Sequence, residues 1–254
     1  MHKIFANTLF IGKQYVSLPS CHSTNDMLMQ MADEKLVFEG TVLKADAQTR
    51  GKGQRGNTWL SEPSKNLTFS ILLKPKFLKP HQQFDLNRII SLGILEALQK
   101  YLPHETIEVK WPNDIYVNKQ KIAGILIENT LSSQAITQSI VGIGLNVNQF
   151  DQLPDGATSV LKASGLVFEI EEILEEIIHQ IEKYYLMLKS GERSIVDQSY
   201  INHLFQFQQM ANYEDADGAF RGTIKGVSKD GLLLIAKSTG KECSYQFKEV
   251  TFKR

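Results

Sequence analysis

The sequence predicts an α+β protein: a mixed sheet with helices, followed by a small C-terminal β-barrel. Two observations carry that expectation. Strand-length apolar runs, one clearly alternating, are interspersed with long segments of helical period. From about residue 208 the texture changes to short strands separated by turns, which divides the chain into residues 1–206 and 207–254.

In chain order, "GTVLKADAQ" (40–48) reads as a strand leading into a glycine-rich loop. In the next strand Leu67, Phe69, Ile71 and Leu73 alternate with Thr68, Ser70 and Leu72. Residues 84–102 carry Leu86, Ile89, Ile90, Gly93, Ile94, Ala97 and Leu98 at helical spacing, so an amphipathic helix is expected. "IEVKW", a Pro-Asn-Asp turn, "IYVN", a Lys-Gln connection and "KIAGILIEN" read as successive strands, the last interior to the sheet. "SIVGIGLNVN" (139–148) is a further apolar strand. A helix over 169–191 ends in Gly, and a second is expected over 194–206.

The composition narrows the function classes. Lys plus Arg and Asp plus Glu number 28 each, and this lack of basic excess argues against a nonspecific nucleic-acid binder. Two cysteines, Cys21 and Cys243, fit no metal or disulfide spacing, and a reducing cytoplasm is the expectation. Residues 1–20 lack a leader's long apolar core, and nowhere do about 18 apolar residues run together as a spanning helix requires. No HExxH or GxSxG occurs, so zinc and serine hydrolysis have no support.

"GKGQRG" (51–56) satisfies G-x-G-x-x-G and also opens like a P-loop. Context excludes both. Asn57 stands where the P-loop needs Lys, and a turn and a strand follow where both motifs need a helix N-terminus. Arg50, Lys52 and Arg55 on a glycine-rich backbone instead suit an anionic ligand reached by a mobile loop, against the plainer reading of a flexible hairpin.

Four polar stretches adjoin apolar strands: "HSTN" (22–25), "QTRGKGQRGNTW" (48–59), "KWPNDIYVNKQKIAG" (110–124) and "GIGLNVN" (142–148). Singly, each has an ordinary structural reading. Ser-Thr-Asn before a helix is a natural N-cap, and Trp-Pro-Asn-Asp a hairpin corner. Lys121 could be a solvated strand end, Asn146 a locally bonded asparagine and Trp59 plain core. Together, in this order, they resemble the biotin–protein ligase family, most specifically through "KWPND" followed by "KIAGIL". The likeness covers roughly residues 17–165, and Ala157-Thr158-Ser159 and the C-terminal β module fit it too.

That resemblance implies the biotin–lipoate ligase catalytic fold, akin to class II aminoacyl-tRNA synthetases, with an SH3-like C-terminal domain. It also implies a two-step reaction. Biotin and ATP with Mg²⁺ give biotinyl-5′-adenylate, and a lysine of a biotin carboxyl carrier protein or domain then takes the biotinyl group. Ser23, Thr24 and Gln48 match positions that pair biotin's ureido ring, and Asn25, which completes the motif, belongs to the same biotin site. Gly51, Lys52, Gly53, Gln54, Lys121 and Gly124 complete the implied biotin site. Lys52, Arg55, Gly56, Trp59, Asn113, Lys121 and Asn146 fall at the ATP and adenylate site, with Trp59 covering adenine and Asn146 reading it. The implied catalytic residues are Lys121, which neutralises developing charge, Arg55, a cation of the loop that closes over the adenylate, and Asp114, which meets the incoming lysine.

The loop departs from the family's usual G-R-G-R-R-G. Lys52 keeps the charge without the bidentate fork, and Gln54 carries none. Ser23 lies too near the start to leave room for the helix-turn-helix domain of some members, so a form without DNA binding is expected, as monomer or homodimer. The rival readings are a lipoate–protein ligase and a biotin-responsive repressor.

Overall fold

The computed structural model describes residues 7–253, with Arg55 in its backbone alone; the first six residues of the stretch read above for a leader lie outside it. The larger part is built on a seven-stranded sheet in the order β1-β2-β3-β7-β6-β5-β4. Its strands are β1 (Tyr15–Leu18), β2 (Val42–Ala45), β3 (Leu67–Leu73), β4 (Ile107–Lys110), β5 (Asp114–Val117), β6 (Gln120–Leu131) and β7 (Ile136–Leu145). Only β1 and β2 run parallel; every other neighbouring pair is antiparallel.

Period-2 alternation decides which layer each side chain joins. On β3, Leu67, Phe69, Ile71 and Leu73 enter the main core with Ile89 and Ile94 of α2 (Phe84–Tyr101) and Ile177 and Ile181 of α4 (Ile170–Lys189). Leu72, on the opposite face, packs with Leu28 of α1 (Thr24–Asp33), Leu43 and Ile140. All seven residues of β3 are buried because both faces are covered. On β7 the same rule sends Val141, Ile143 and Leu145 to the main core and leaves Gly142 and Gly144 on the α1 face.

A short helix α3 (Val160–Ser164) is capped by the Ser159 hydroxyl, which accepts from the Lys162 amide. After α4 comes α5 (Arg193–Asn202), which ends four residues earlier than the sequence predicts. The reason is that His203–Phe205 pair with the sheet edge instead. Val109 N–H donates to the His203 carbonyl (2.8 Å) and Phe205 N–H to the Val109 carbonyl (2.9 Å).

The C-terminal part is a five-stranded antiparallel sheet, ordered β11-β10-β9-β8-β12. Its strands are β8 (Met210–Asp215), β9 (Gly218–Val227), β10 (Leu233–Lys237), β11 (Glu242–Tyr245) and β12 (Thr251–Phe252). The turn between β9 and β10 docks on the larger part. Arg88, buried and ion-paired with Asp85 (2.7 Å) and Asp197 (3.2 Å), donates to the Ser228 carbonyl (2.7 Å). The Trp111 indole donates to the Gly231 carbonyl (2.9 Å). Burying a guanidinium is tolerable only with such pairing, so this cluster fixes how the two sheets meet. Among the described residues, no helix is long and apolar enough to cross a membrane.

Candidate functional site

A cavity of about 530 Å³ opens on the α1 face of the large sheet. Its floor is glycine: Gly124 on β6 and Gly142 and Gly144 on β7. Strand register lays one row of residues across it, Lys110, Asp114, Gly124, Gly144 and Thr68 on β4, β5, β6, β7 and β3. Facing neighbours on antiparallel strands point to the same side, so the row's polar side chains share the face that holds the cavity.

At the β3 end, parallel pairing of β1 and β2 continues beyond both strands. Cys21 and Gln48 form a bridge, and the Arg50 amide donates to the His22 carbonyl (2.9 Å). This is why residues 22–25 and 48–59 meet although the sequence separates them. The Gln48 side chain accepts from the Thr24 amide (2.8 Å). Ser23 holds the N-cap position of α1 with extended backbone, yet its buried side chain makes no cap bond and lines the cavity. The capping explanation therefore does not account for that hydroxyl. Asn25 is braced on three sides: Ser70 Oγ lies 2.7 Å from its Oδ1, and its Nδ2 donates to Glu128 (2.7 Å) and to the Leu126 carbonyl (3.3 Å). This end is polar; its charges are Glu128 and the ion pair between Lys52 of the glycine loop and Asp26 of α1.

The glycine loop forms a small hairpin with a 3₁₀ turn at Gln54–Gly56. The Trp59 amide donates to the Gly51 carbonyl (3.0 Å), and the Gly53 amide to the Asn57 carbonyl (2.7 Å). Gly51 is required by close approach, since a Cβ there would lie 2.4 Å from the Trp59 carbonyl oxygen. Lys52 pairs with Asp26 of α1, and that hydrogen bond raises the lysine's pKa. Lys52, Gly53, Gln54 and Trp59 line the cavity; Gly51 and Gly56 do not, and the Arg55 side chain lies outside the described residues.

Trp59 rests on the floor. A Cβ on Gly144 would come within 2.3 Å of its ring, and one on Gly124 within 3.2 Å. Its indole N–H is buried without a partner. A donor left so is costly unless a ligand supplies an acceptor.

The cationic end comes from β4, β5 and β6. Lys121 Nζ lies 2.7 Å from Asp114 Oδ1 and 5.7 Å from the Trp59 ring centroid. Backbone bonds on both sides hold Lys121, its amide to the Gly156 carbonyl (2.9 Å) and its carbonyl from the Thr158 amide (2.8 Å). Asn113, buried, locks the corner through its Nδ2 to the Ile125 carbonyl (2.8 Å). Asn146 is also buried but does not line the cavity; its Nδ2 donates to the Thr158 carbonyl (2.9 Å), bracing the segment that holds Lys121.

Several lining residues have no role in the sequence reading. Gly142 and Gly144 stand in the quoted GIGLNVN stretch, and alternation assigns them to the cavity face, since Ile143 and Leu145 face the core. Phe247, Val250 and Phe252 arrive from the C-terminal sheet, and no local pattern marks them.

Comparison with known proteins identifies the family. Residues 18–146 match the biotin/lipoate A/B protein ligase family. Biotin–protein ligase 1, chloroplastic, of Arabidopsis thaliana is 31% identical over 91% of this chain and 65% of its own. The bifunctional ligase/repressor BirA of Bacillus subtilis (strain 168) is 28% identical over 92% of this chain and 72% of its own. The solved biotin protein ligase from Aquifex aeolicus, in complex with biotin and ATP, superposes with a TM-score of 0.78 at 29% identity, over 95% of this chain and 99% of that one.

Proposed function

Because this chain belongs to the biotin/lipoate A/B protein ligase family, we propose that it joins biotin to a protein lysine using ATP, as a biotin–protein ligase. The observation that carries this reading is the division of one cavity. Neutral donors and acceptors stand at one end, Lys121 stands at the other, and a glycine floor joins them. Biotin has the matching polarity: a neutral ureido ring that must be hydrogen-bonded when buried, and a carboxylate at the end of an apolar chain.

In the first half-reaction the biotin carboxylate attacks the α-phosphorus of ATP, and pyrophosphate leaves. The Lys121 ammonium sits where it can meet the carboxylate and neutralise charge building on the α-phosphoryl oxygens. The glycine loop, anchored to α1 through Lys52 and Asp26, covers the resulting anhydride. In the second half-reaction the amine of a carrier lysine attacks the biotinyl carbonyl and AMP leaves. That amine has an unperturbed pKa of about 10.4 and must shed a proton. Asp114 is the carboxylate placed to hold and receive it.

Among the described residues no three His, Cys, Asp or Glu form a metal-binding group. A magnesium ion that arrives with ATP fits this set better than a resident metal, since Mg²⁺ is usually held by one or two carboxylates plus substrate phosphates. Asn113 is the oxygen donor that would meet it beside those phosphates, and it would neutralise phosphate charge. The acceptor we propose is a biotin carboxyl carrier protein or domain. The balanced net charge argues against DNA as a partner, and two free cysteines suit a reducing cytoplasm.

ATP–pyrophosphate exchange, run separately with biotin, lipoate and octanoate, tests the reading. Exchange is expected with biotin. A preference for lipoate or octanoate would overturn it.

A further inference from the structure

The row across the cavity ends at a residue that the reaction scheme above leaves without a role. Lys110, the last residue of β4, faces Asp114 across the β4–β5 ladder and lines the cavity. Its Nζ donates to Tyr116 Oη (2.9 Å) and lies 4.9 Å from the Tyr116 ring centroid and 5.1 Å from that of Phe252. Phe205, nine-tenths buried, packs against both rings, with centroids 5.4 Å from Tyr116 and 6.2 Å from Phe252. The ammonium is thus held in an aromatic frame built from both sheets. Among the described residues no carboxylate pairs with Lys110, and its cross-strand neighbour Asp114 is already bonded to Lys121. A cation positioned by π faces and a phenol, on the wall of a cavity and without an anion, is a site for one.

The row also says which anion. Neighbouring strands stand about 4.8 Å apart, so β3 and β4 are separated by roughly 19 Å, with Lys121 on β6 between them. If the Ser23, Thr24, Asn25 and Gln48 end beside β3 and β7 takes the ureido ring and Lys121 takes the carboxylate and α-phosphate, the next groups outward meet Lys110. We infer that Lys110, framed by Tyr116 and Phe252, binds the β- and γ-phosphates of ATP and stabilises pyrophosphate as it leaves. This rests on the ligase reading above. The chemistry balances without a proton transfer: a biotin carboxylate oxygen bonds to the α-phosphorus, and the bond from that phosphorus to the oxygen bridging the β-phosphate breaks. The electron pair departs on the pyrophosphate oxygen, whose new charge the ammonium meets.

The test compares Lys110→Met, which keeps an aliphatic chain in the frame, with Lys110→Arg, which keeps the charge. Exchange is measured against ATP, pyrophosphate and biotin, and transfer to a carrier domain is measured from synthetic biotinyl-5′-adenylate, which has no β- or γ-phosphate. A lost charge-assisted hydrogen bond corresponds to about a tenfold to a hundredfold effect. Lys110→Met is therefore expected to raise the KM for both ATP and pyrophosphate by that factor, with a far smaller effect on the KM for biotin and on transfer from the adenylate. Lys110→Arg is expected to recover most of the loss. Unchanged KM values for ATP and pyrophosphate, or equal losses in both half-reactions, would overturn the assignment of Lys110. Failure of the unaltered protein to exchange with biotin would instead overturn the ligase reading, and this inference with it.

Discussion

The Asn25 side chain lies directly on the backbone of Gly142, so close that a Cβ on that glycine would stand 2.3 Å from Asn25 Oδ1. Asn25 cannot retreat, because Ser70, Glu128 and the Leu126 carbonyl fix it. Gly142→Ala is expected to push the amide out of place. Overpacking of this kind costs about 1–3 kcal/mol. The KM for biotin should rise about tenfold or more while the KM for ATP changes less, and steady-state exchange checks this.

Lys121→Ala is expected to abolish biotin-dependent exchange and leave the fold intact. Its ion pair with Asp114 is partly exposed, with side chains 35% and 21% accessible. Such pairs contribute about 0–1 kcal/mol, so thermal unfolding should move by only a few degrees. Exchange near the original rate would remove Lys121 from the chemistry.

Asp114→Asn separates the half-reactions. An amide can still lie beside Lys121, but it cannot take a proton from the acceptor amine. Single-turnover rates should show transfer to the carrier impaired more than adenylate formation. Equal impairment would assign Asp114 to the ATP site or to the ion pair alone.

Retention of the intermediate should follow the loop's charges. Asp26→Asn releases Lys52 and is expected to speed escape of biotinyl-adenylate by about two- to fivefold, the scale of an exposed pair. Gln54 lines the cavity, so Gln54→Arg adds a cation there and is expected to slow escape. Trapping released adenylate from preloaded enzyme without carrier measures both.

The C-terminal sheet carries an acid-sensitive tie. Asp215 accepts from Lys237 (2.7 Å) and from Tyr245 (2.7 Å), and these bonds hold its carboxyl at about 2, below the unfolded value of about 3.9. A depressed carboxylate stabilises the fold fully above the unfolded pKa and loses that contribution as pH falls through the folded one. Stability should therefore decline between about pH 4 and pH 2, and Asp215→Asn should flatten that part of the profile in pH-dependent melting.

The sequence made the strands and the long helices legible because their periods differ. Alternation in β3 and β7 also held the layer assignments, down to the pair of glycines left on the cavity face. What it concealed was long-range. That β1 and β2 extend their pairing to Cys21 and Gln48 is a parallel register with no hairpin to announce it. The early end of α5 follows from the unpaired edge of β4, which captures residues 203–205 whatever their helical propensity. Lys110 stood in the quoted motif, yet its surroundings come from Phe205 and Phe252, about a hundred residues and more away. Asn146 stood in a motif as well, and its bond to Thr158 is visible only once the chain is folded.

Trp111 sits inside the same pentapeptide as Lys110, Asn113 and Asp114 and borders the same cavity, while its indole N–H grips the carbonyl of Gly231. The residues proposed to touch substrate and the residue that anchors the neighbouring sheet thus lie along one corner of backbone. A tilt of the C-terminal sheet would reach Asn113 and Asp114 from Trp111 within three peptide units. On the proposed reading, the small sheet is thus tied by one indole hydrogen bond to the corner that carries the chemistry.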